Sequence, residues 1–309
     1  MTDHHPERRD PDGPRASGRR CGGRGSSMRL IDARMPELTR CLTLFQYVQA
    51  VTGGRVALID QAGSYAVPSL RGEAFALQPG SIALRVDGGA VASAVVVRDE
   101  DAGAVVLHLF DADGRTVHQG RLLSEGDRLL MGLAGTVDAL APAPAAAPSA
   151  LPGSPAWESG DQLAQLDEIL VDGGAARRRA FGRYRGEHRA IDAGVVPEVL
   201  EHVCSVGLPI GVAVFAPGAM QACGGRVHVT DQTIGGQVFA AIAESSVQIH
   251  LPGVRACHLV RSTAAHGPTS AIELDDEDGR CVAVITQFGI VGEQVHTAWE
   301  HLAASLPDA

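Results

Sequence analysis

The chain has 309 residues, of which 45% are hydrophobic and 20% charged, enough apolar material to bury the core of one large or two ordinary domains. A formal net charge of −10 argues against nucleic acid or an anionic membrane as the main partner, because both call for a basic face. The longest apolar run, Leu208 to Met220, is broken by Pro209, Gly211, Pro217 and Gly218; it falls short of the roughly 20 residues of a membrane helix, so no membrane insertion is expected.

Residues 1–35 read as a disordered arm. The first 27 carry six Arg among Pro, Gly and Ser with no hydrophobic segment, so they are not a secretory signal, and Met28 or Met35 offers an alternative start. From Pro36 to Thr52 the residues Leu38, Cys41, Leu42, Phe45 and Val48 fall at helical spacing and predict a helix. Strands are expected over Arg55 to Asp60, Ile82 to Val86 and Val91 to Arg98, with a turn at Gln61 to Ser64. Leu107 to His118, LHLFDADGRTVH, is a hairpin signal: an Asp-Gly turn between apolar runs, where Gly accepts the positive φ the turn needs. A short helix over Met131 to Leu140 closes a first unit, residues 36–138. Five prolines among Ala and Ser make residues 139–160 a semi-rigid linker.

The second unit, residues 161–309, opens with a helical pattern from Gln162 to Arg183 interrupted at Gly173-Gly174. A helix over Pro197 to Val206 follows. Strands are then expected over Pro209 to Phe215, Gln221 to Thr230, Ser246 to Leu251 and Ala256 to Arg261, and a second hairpin, Ile272 to Ala283, answers the first. Asp111-Ala-Asp-Gly-Arg115 meets Asp276-Glu-Asp-Gly-Arg280 at an offset of 165, and Ser81 to Arg85 meets Ser246 to His250 at the same offset. Upstream, Leu44 to Gly63 lies over Leu200 to Ala219 at an offset of 156. The expected fold class is α+β, a tandem duplication of a helix plus an antiparallel sheet with two stacked halves.

Other chemistry is poorly supported. The cysteines Cys21, Cys41, Cys204, Cys223, Cys257 and Cys281 include no C-x-x-C pair and no His at zinc spacing, as in a reduced cytosolic protein. Gly53-Gly54 and Gly224-Gly225 do not form a phosphate loop, the acidic run Asp275 to Asp278 lacks the later Glu of a calcium loop, and no nucleophile-elbow context surrounds any Ser.

The order of segments resembles the bacterial haemin-degrading and haemin-transport factors, the HemS, HmuS and ChuX family, over about Leu42 to Leu302. The pieces that carry it are VALIDQAGSY, Leu84-Arg85, LFDADGRTVHQ, Trp157, the R-x-x-A-F segment Arg177 to Phe181, Pro209-Ile-Gly-Val-Ala-Val-Phe215 and Ser270 to Gly279. The resemblance implies a cytoplasmic protein of haem iron utilisation, with haem as ligand or substrate. An inner-membrane haem importer and a haem oxygenase would be its partners, and oxidative ring opening an activity to test.

By the same resemblance, Arg85 reaches over the distal face of haem and Arg177 contacts the porphyrin, a role suited to guanidinium, which grips a propionate bidentately. Their alternative is ordinary surface ion pairing. The family's axial His, counted forward from Trp157 and back from Arg177, lands on Ala164. Alanine offers no donor to iron, which implies weaker haem binding or a substitute ligand. His118 in the first hairpin and His250, across the repeat from Arg85, are the substitutes considered; each is equally readable as a structural histidine. His188, His202, His228, Met131, Met220, Tyr65 and Tyr184 have no spacing that singles them out, and a further family Arg appears as Gly289. Loss of the donor leaves a second reading open, a non-catalytic paralogue binding another tetrapyrrole or a protein partner.

Overall fold

Alternation of buried and half-buried residues marks many of the strands among the described residues. A computed structural model describes residues 26–31, 35–71, 75, 77, 80–99, 102–133, 162–181, 188–264, 267–288 and 292–309. The expected linker over residues 139–160, Trp157, Tyr184 and Gly289 lie outside them.

In chain order the first part comprises β1 (Ser26–Ile31), α1 (Met35–Leu42), β2 (Val48–Gly53), β3 (Ala57–Tyr65), β4 (Ser69–Leu70), β5 (Ser81–Val86), β6 (Val91–Asp99), β7 (Ala104–Asp111), β8 (Thr116–Leu122) and α2 (Glu125–Leu133). The second comprises α3 (Gln162–Asp172), α4 (Ala175–Phe181), β9 (His188–Ala190), α5 (Val196–Val206), β10 (Pro209–Ala216), β11 (Ala219–Gln232), β12 (Gln237–Ile242), β13 (Ser245–His250), β14 (Ala256–Ala264), β15 (Gly267–Asp275), β16 (Cys281–Thr286) and α6 (Glu293–Ser305). The fold is α+β, helices on a large and mostly antiparallel sheet.

Hydrogen bonding runs β1-β6-β7-β8-β2-β3-β13-β12-β11-β10-β16-β15-β14-β9, with β5 joining β4, β3 and β11. From one end the order begins β1, β6, β7, β8, β2, β3; from the other it begins β9, β14, β15, β16, β10, β11. The two halves are thus laid out alike and stitched by two cross-half pairs. Strand β13 of the second half pairs with β3, and β5 of the first pairs with β11.

The two hairpins match atom for atom. In the first, Asp111 Oδ1 accepts the backbone N–H of Asp113 and Arg115 at 3.0 and 2.8 Å; in the second, Asp276 Oδ1 accepts those of Asp278 and Arg280 at 3.0 and 2.9 Å. Gly114 and Gly279 take φ of +75° and +69° there, the left-handed region that favours glycine. Each hairpin also slips register one step above its turn, at Leu109/Phe110 and at Leu274/Asp275.

Four expectations need correction. The helix predicted over Pro36 to Thr52 ends at Leu42. Val48, Ala50 and Thr52 are buried while Gln49, Val51 and Gly53 are half-exposed, a period of two that makes β2. The chain's exit from α1 is fixed by Asp127, whose carboxylate accepts the backbone N–H of Gln46 at 2.9 Å and Tyr47 at 3.0 Å. The turn expected at Gln61 to Ser64 is continuous strand, and Ser26 to Ile31, expected to be disordered, pair with β6. The upstream offset is 162, not 156: Val48 faces Gly63 as Ile210 faces Gly225, whereas 156 would lay β2 over the end of α5.

Two cores form, each centred on one half and completed by the other, with Ala216 and Ala219 entering the first and Ala57 and Ile59 the second. Leu42, Val48, Ile82, Leu84, Leu107 and Leu109 are among the residues that fill the first, and Ile59, Val203, Val212, Ile249, Ile272 and Trp299 among those of the second. The indole of Trp299, fully buried on α6, donates to the Ser270 carbonyl at 2.8 Å and seats that helix on β15.

Candidate functional site

A third apolar cluster lies where α3 covers the sheet. Leu166, Ile169 and Leu170 fall at helical spacing and pack on Phe215, Met220, Ala222 and Val284, with Phe75, Leu77 and Phe288 alongside. The helix is also pinned by polar contacts. Gln162 donates to Thr286 Oγ1 at 3.1 Å and to the Gln287 carbonyl at 2.7 Å, and Gln165 donates to Glu273. At Gly173-Gly174, with φ of +68° and +81°, α3 turns into α4. A Cβ on Gly173 would stand 2.9 Å from Cβ of Arg280, so the close approach of this corner to the second hairpin needs glycine. Arg178 clips the corner down. It bonds Asp275 at 2.9 Å and donates to the carbonyls of Gly173 and Gly279. Arg177 lies on α4 beside it, and its side chain is outside the described set.

Arg85 is not a surface arginine. It is fully buried on β5 and forms a side-on fork with Asp167 of α3, Nε to Oδ1 at 2.7 Å and an Nη to Oδ2 at 2.8 Å. Its other Nη donates to Ser69 Oγ at 2.7 Å, and the Phe75 ring lies 5.7 Å from the guanidinium carbon. All three nitrogens are therefore engaged, and a charge that would be costly to bury alone is neutralised by a partner that reaches across from the second half. Ala164, partly exposed, sits three residues before Asp167 and so shares its helix face. The structure thus brings Arg85 and Ala164 to one seam.

His118 lies elsewhere, in the closed core of the first half. Thr52 Oγ1 donates its single hydrogen to Gln221 Oε1 at 2.8 Å, so it accepts from His118 Nδ1 at 2.7 Å; Nε2 then accepts from the Tyr65 hydroxyl at 2.7 Å. Both ring nitrogens are spent and the ring has no exposure, so iron cannot reach them. Burial first, and the His108 ring second, lower the His118 pKa to about 3, while burial raises that of Tyr65. Thr52, Tyr65 and His118 correspond to Val214, Val227 and Ala283 of the second half, so the repeat does not reproduce this polar chain, which Gln221 of β11 completes.

His250 ends β13, half-buried, paired with Gln237. It is not the counterpart of Arg85. Leu84 faces Gln221 as Val247 faces Ile59, an offset of 163 that sets Gln248 opposite Arg85 in the repeat. His202 and His228 are exposed, His188 lies half-buried on β9, and Met131, Met220 and Tyr65 are core side chains. Among the described residues no group of three or more His, Cys, Asp or Glu is arranged to hold a metal ion.

Beside the α3 seam a cleft of ≈ 160 Å³, open to solvent, lies between the halves. Gln61 and Ser81 of the first half face Cys223, Ser245 and Gln287 of the second, with Leu77, Ile210 and Phe288 as apolar walls. Burial pushes the Cys223 thiol up to about 12, so it stays protonated at neutral pH. Among the described residues no Lys, Arg or His lines the cleft. Gln287 spends its amide hydrogens on the carbonyls of Pro209 and Val295 at 3.4 and 3.3 Å. The site supplies apolar surface and hydrogen-bonding groups, and Ala164 supplies no iron donor.

Sequence reasoning reached Arg85 and Ala164 and missed Asp167, Ser69 and Phe75. The available signal was Asp167 one helical turn beyond Ala164.

No protein-family model matches the chain, and no curated protein sequence does. Solved structures do. The holo form of PhuS, a heme-binding protein from Pseudomonas aeruginosa, aligns with a TM-score of 0.66 at 18% identity, covering 91% of this chain and 87% of that one. The heme degrading enzyme ChuS of Escherichia coli O157:H7 aligns with a TM-score of 0.69 at 17% identity over 90% of this chain and 86% of its own. A second structure of ChuS, described as an E. coli heme oxygenase, gives 0.69 at 16% identity. The chain has the two-domain fold of ChuS and PhuS.

Proposed function

We propose that the protein binds haem, or a closely related tetrapyrrole, at the seam between its halves, in cytoplasmic haem iron utilisation. It would receive haem from an inner-membrane importer and pass it on or assist its oxidative ring opening with a haem oxygenase. Residues 36–138 and 161–309 would act as the two units, joined by a linker over residues 139–160. The observation that carries the reading is the likeness to PhuS and ChuS over nine-tenths of the chain, with a cleft opening beside α3 between the halves. On this reading Arg85 positions α3 against β5, and Arg177 on α4 meets the ring.

The residues at the seam suit the organic ring better than its iron. Apolar walls and Phe288 offer a planar molecule dispersion and stacking contacts. Ala164 withholds the axial bond, so affinity rests on the ring alone. A haemin titration tests this: a Soret shift at micromolar haemin, weakened in Arg177→Ala, supports it, and an unchanged spectrum sinks it.

A second reading, a non-catalytic paralogue that carries another tetrapyrrole or meets a protein partner, is favoured by the alanine at 164 and by the internal pairing of Arg85. Incubating the haem complex with a reductant and oxygen separates the two. Ring cleavage with iron release favours the enzyme, and an intact Soret band the carrier.

A further inference from the structure

Among the described residues the Arg85 fork is the one fully buried cation at the seam, and its geometry is that of carboxylate recognition, two parallel N–H···O bonds from Nε and one Nη. In this chain the carboxylate comes from within. Asp167 side-chain exposure is 20%, that of Arg85 is 0%, so the acid stands between the guanidinium and solvent. Ser69 and Phe75 close the remaining sides. An incoming carboxylate therefore meets a negative charge before it meets the positive one. The neighbouring cleft repeats the pattern, since its ionisable lining groups are Glu244 and the protonated thiol of Cys223.

We propose that Asp167 is the specificity-determining residue of this seam: it supplies in advance the carboxylate that Arg85 would otherwise take from a ligand. The inference rests on the tetrapyrrole reading above and deepens it. A tetrapyrrole enters through its ring edge, and its carboxylates contribute nothing at Arg85. A preformed internal ion pair must be broken, not merely desolvated, before a ligand acid can replace it.

Two measurements test this. The first needs no tetrapyrrole. In Asp167→Ala, sodium acetate should raise the melting temperature by several degrees over sodium chloride of equal ionic strength, because acetate binds the vacated Arg85 fork and stabilises the state that binds it. Wild type should be indifferent, and Arg85→Met/Asp167→Ala should lose the effect. A folded Asp167→Ala that ignores acetate overturns the proposal. The second compares haemin with haemin dimethyl ester. Wild type should bind the two within about threefold, and Asp167→Asn, which keeps the side-chain volume if Asp167→Ala does not fold, should prefer the free acid by about tenfold. A wild type that already prefers the acid tenfold, with the ratio unchanged in Asp167→Asn, overturns it as well. Absence of binding by either ligand to any variant would refute the tetrapyrrole reading, while the acetate result would still decide the role of Asp167.

Discussion

Lowering the pH from 7 to 5 should cost the wild-type fold about 2 kcal/mol through His118 alone. An unfolded histidine titrates near 6.5, whereas burial holds folded His118 at about 3. Below pH 6.5 the unfolded chain takes up a proton that the folded chain refuses, so stability falls as pH falls through the window from 6.5 to 3. Each pH unit in that window is worth about 1.4 kcal/mol, and pH 5 lies about 1.5 units into it. Above pH 7 the residue contributes no pH dependence. The ring has no exposure and both nitrogens are bonded, so no discount for solvent applies. Urea unfolding of wild type and His118→Gln at pH 7, 6 and 5 measures the effect. Groups such as Asp275, whose carboxyl is pushed up to about 7 chiefly by burial, titrate in both proteins and cancel in the difference. The wild type should lose about 2 kcal/mol more than the variant between pH 7 and 5. Parallel losses would show that His118 takes its proton in the folded state, and with it that the ring is open to solvent and to ligands.

Arg85→Met leaves Asp167 without its fork and should destabilise by about 3 kcal/mol, the lower end for a broken buried pair because Asp167 is partly exposed; Arg85→Met/Asp167→Leu should recover most of that loss in the same denaturant melts. Gly120→Ala would set a Cβ 2.7 Å from the Tyr65 hydroxyl, costing about 1–3 kcal/mol and displacing the Tyr65–His118 bond, which the near-ultraviolet tyrosine signal reports. Asp111→Ala and Asp276→Ala each remove two turn bonds of the same geometry, so their costs should agree to within about 0.5 kcal/mol, each about 1 kcal/mol.

Local signals were legible and long-range pairings were not. The Asp-Gly turns carry their chemistry in five consecutive residues, so the hairpins and their offset of 165 could be read from the sequence, as could the break at Gly173-Gly174. Strand β2 was misread because Val48 satisfies both a helical and a strand period, and the Asp127 carboxylate that ends the helical stretch lies about 80 residues away. The upstream offset failed for the same reason: at 156, apolar Cys204 and Val206 of α5 fall on the strand residues Val48 and Ala50 when only hydrophobicity is compared. The site suffered most. Arg85 reads as a free cation until β5 is seen inside the sheet against β11, with a helix of the other half holding its counter-charge 82 residues on. His118 attracts attention as a hairpin imidazole, yet the chain of Thr52, Tyr65 and Gln221 that consumes it comes from three other strands.

Haemin titration of wild type and Ala164→His tests the central claim most directly. If a tetrapyrrole sits at the α3 seam, wild type shows a Soret shift without the signature of an imidazole ligand, and Ala164→His converts the spectrum to a His-ligated form with tighter binding. A wild type that leaves the haemin spectrum unchanged, or an Ala164→His spectrum identical to that of wild type, would contradict the assignment of the ligand to this helix.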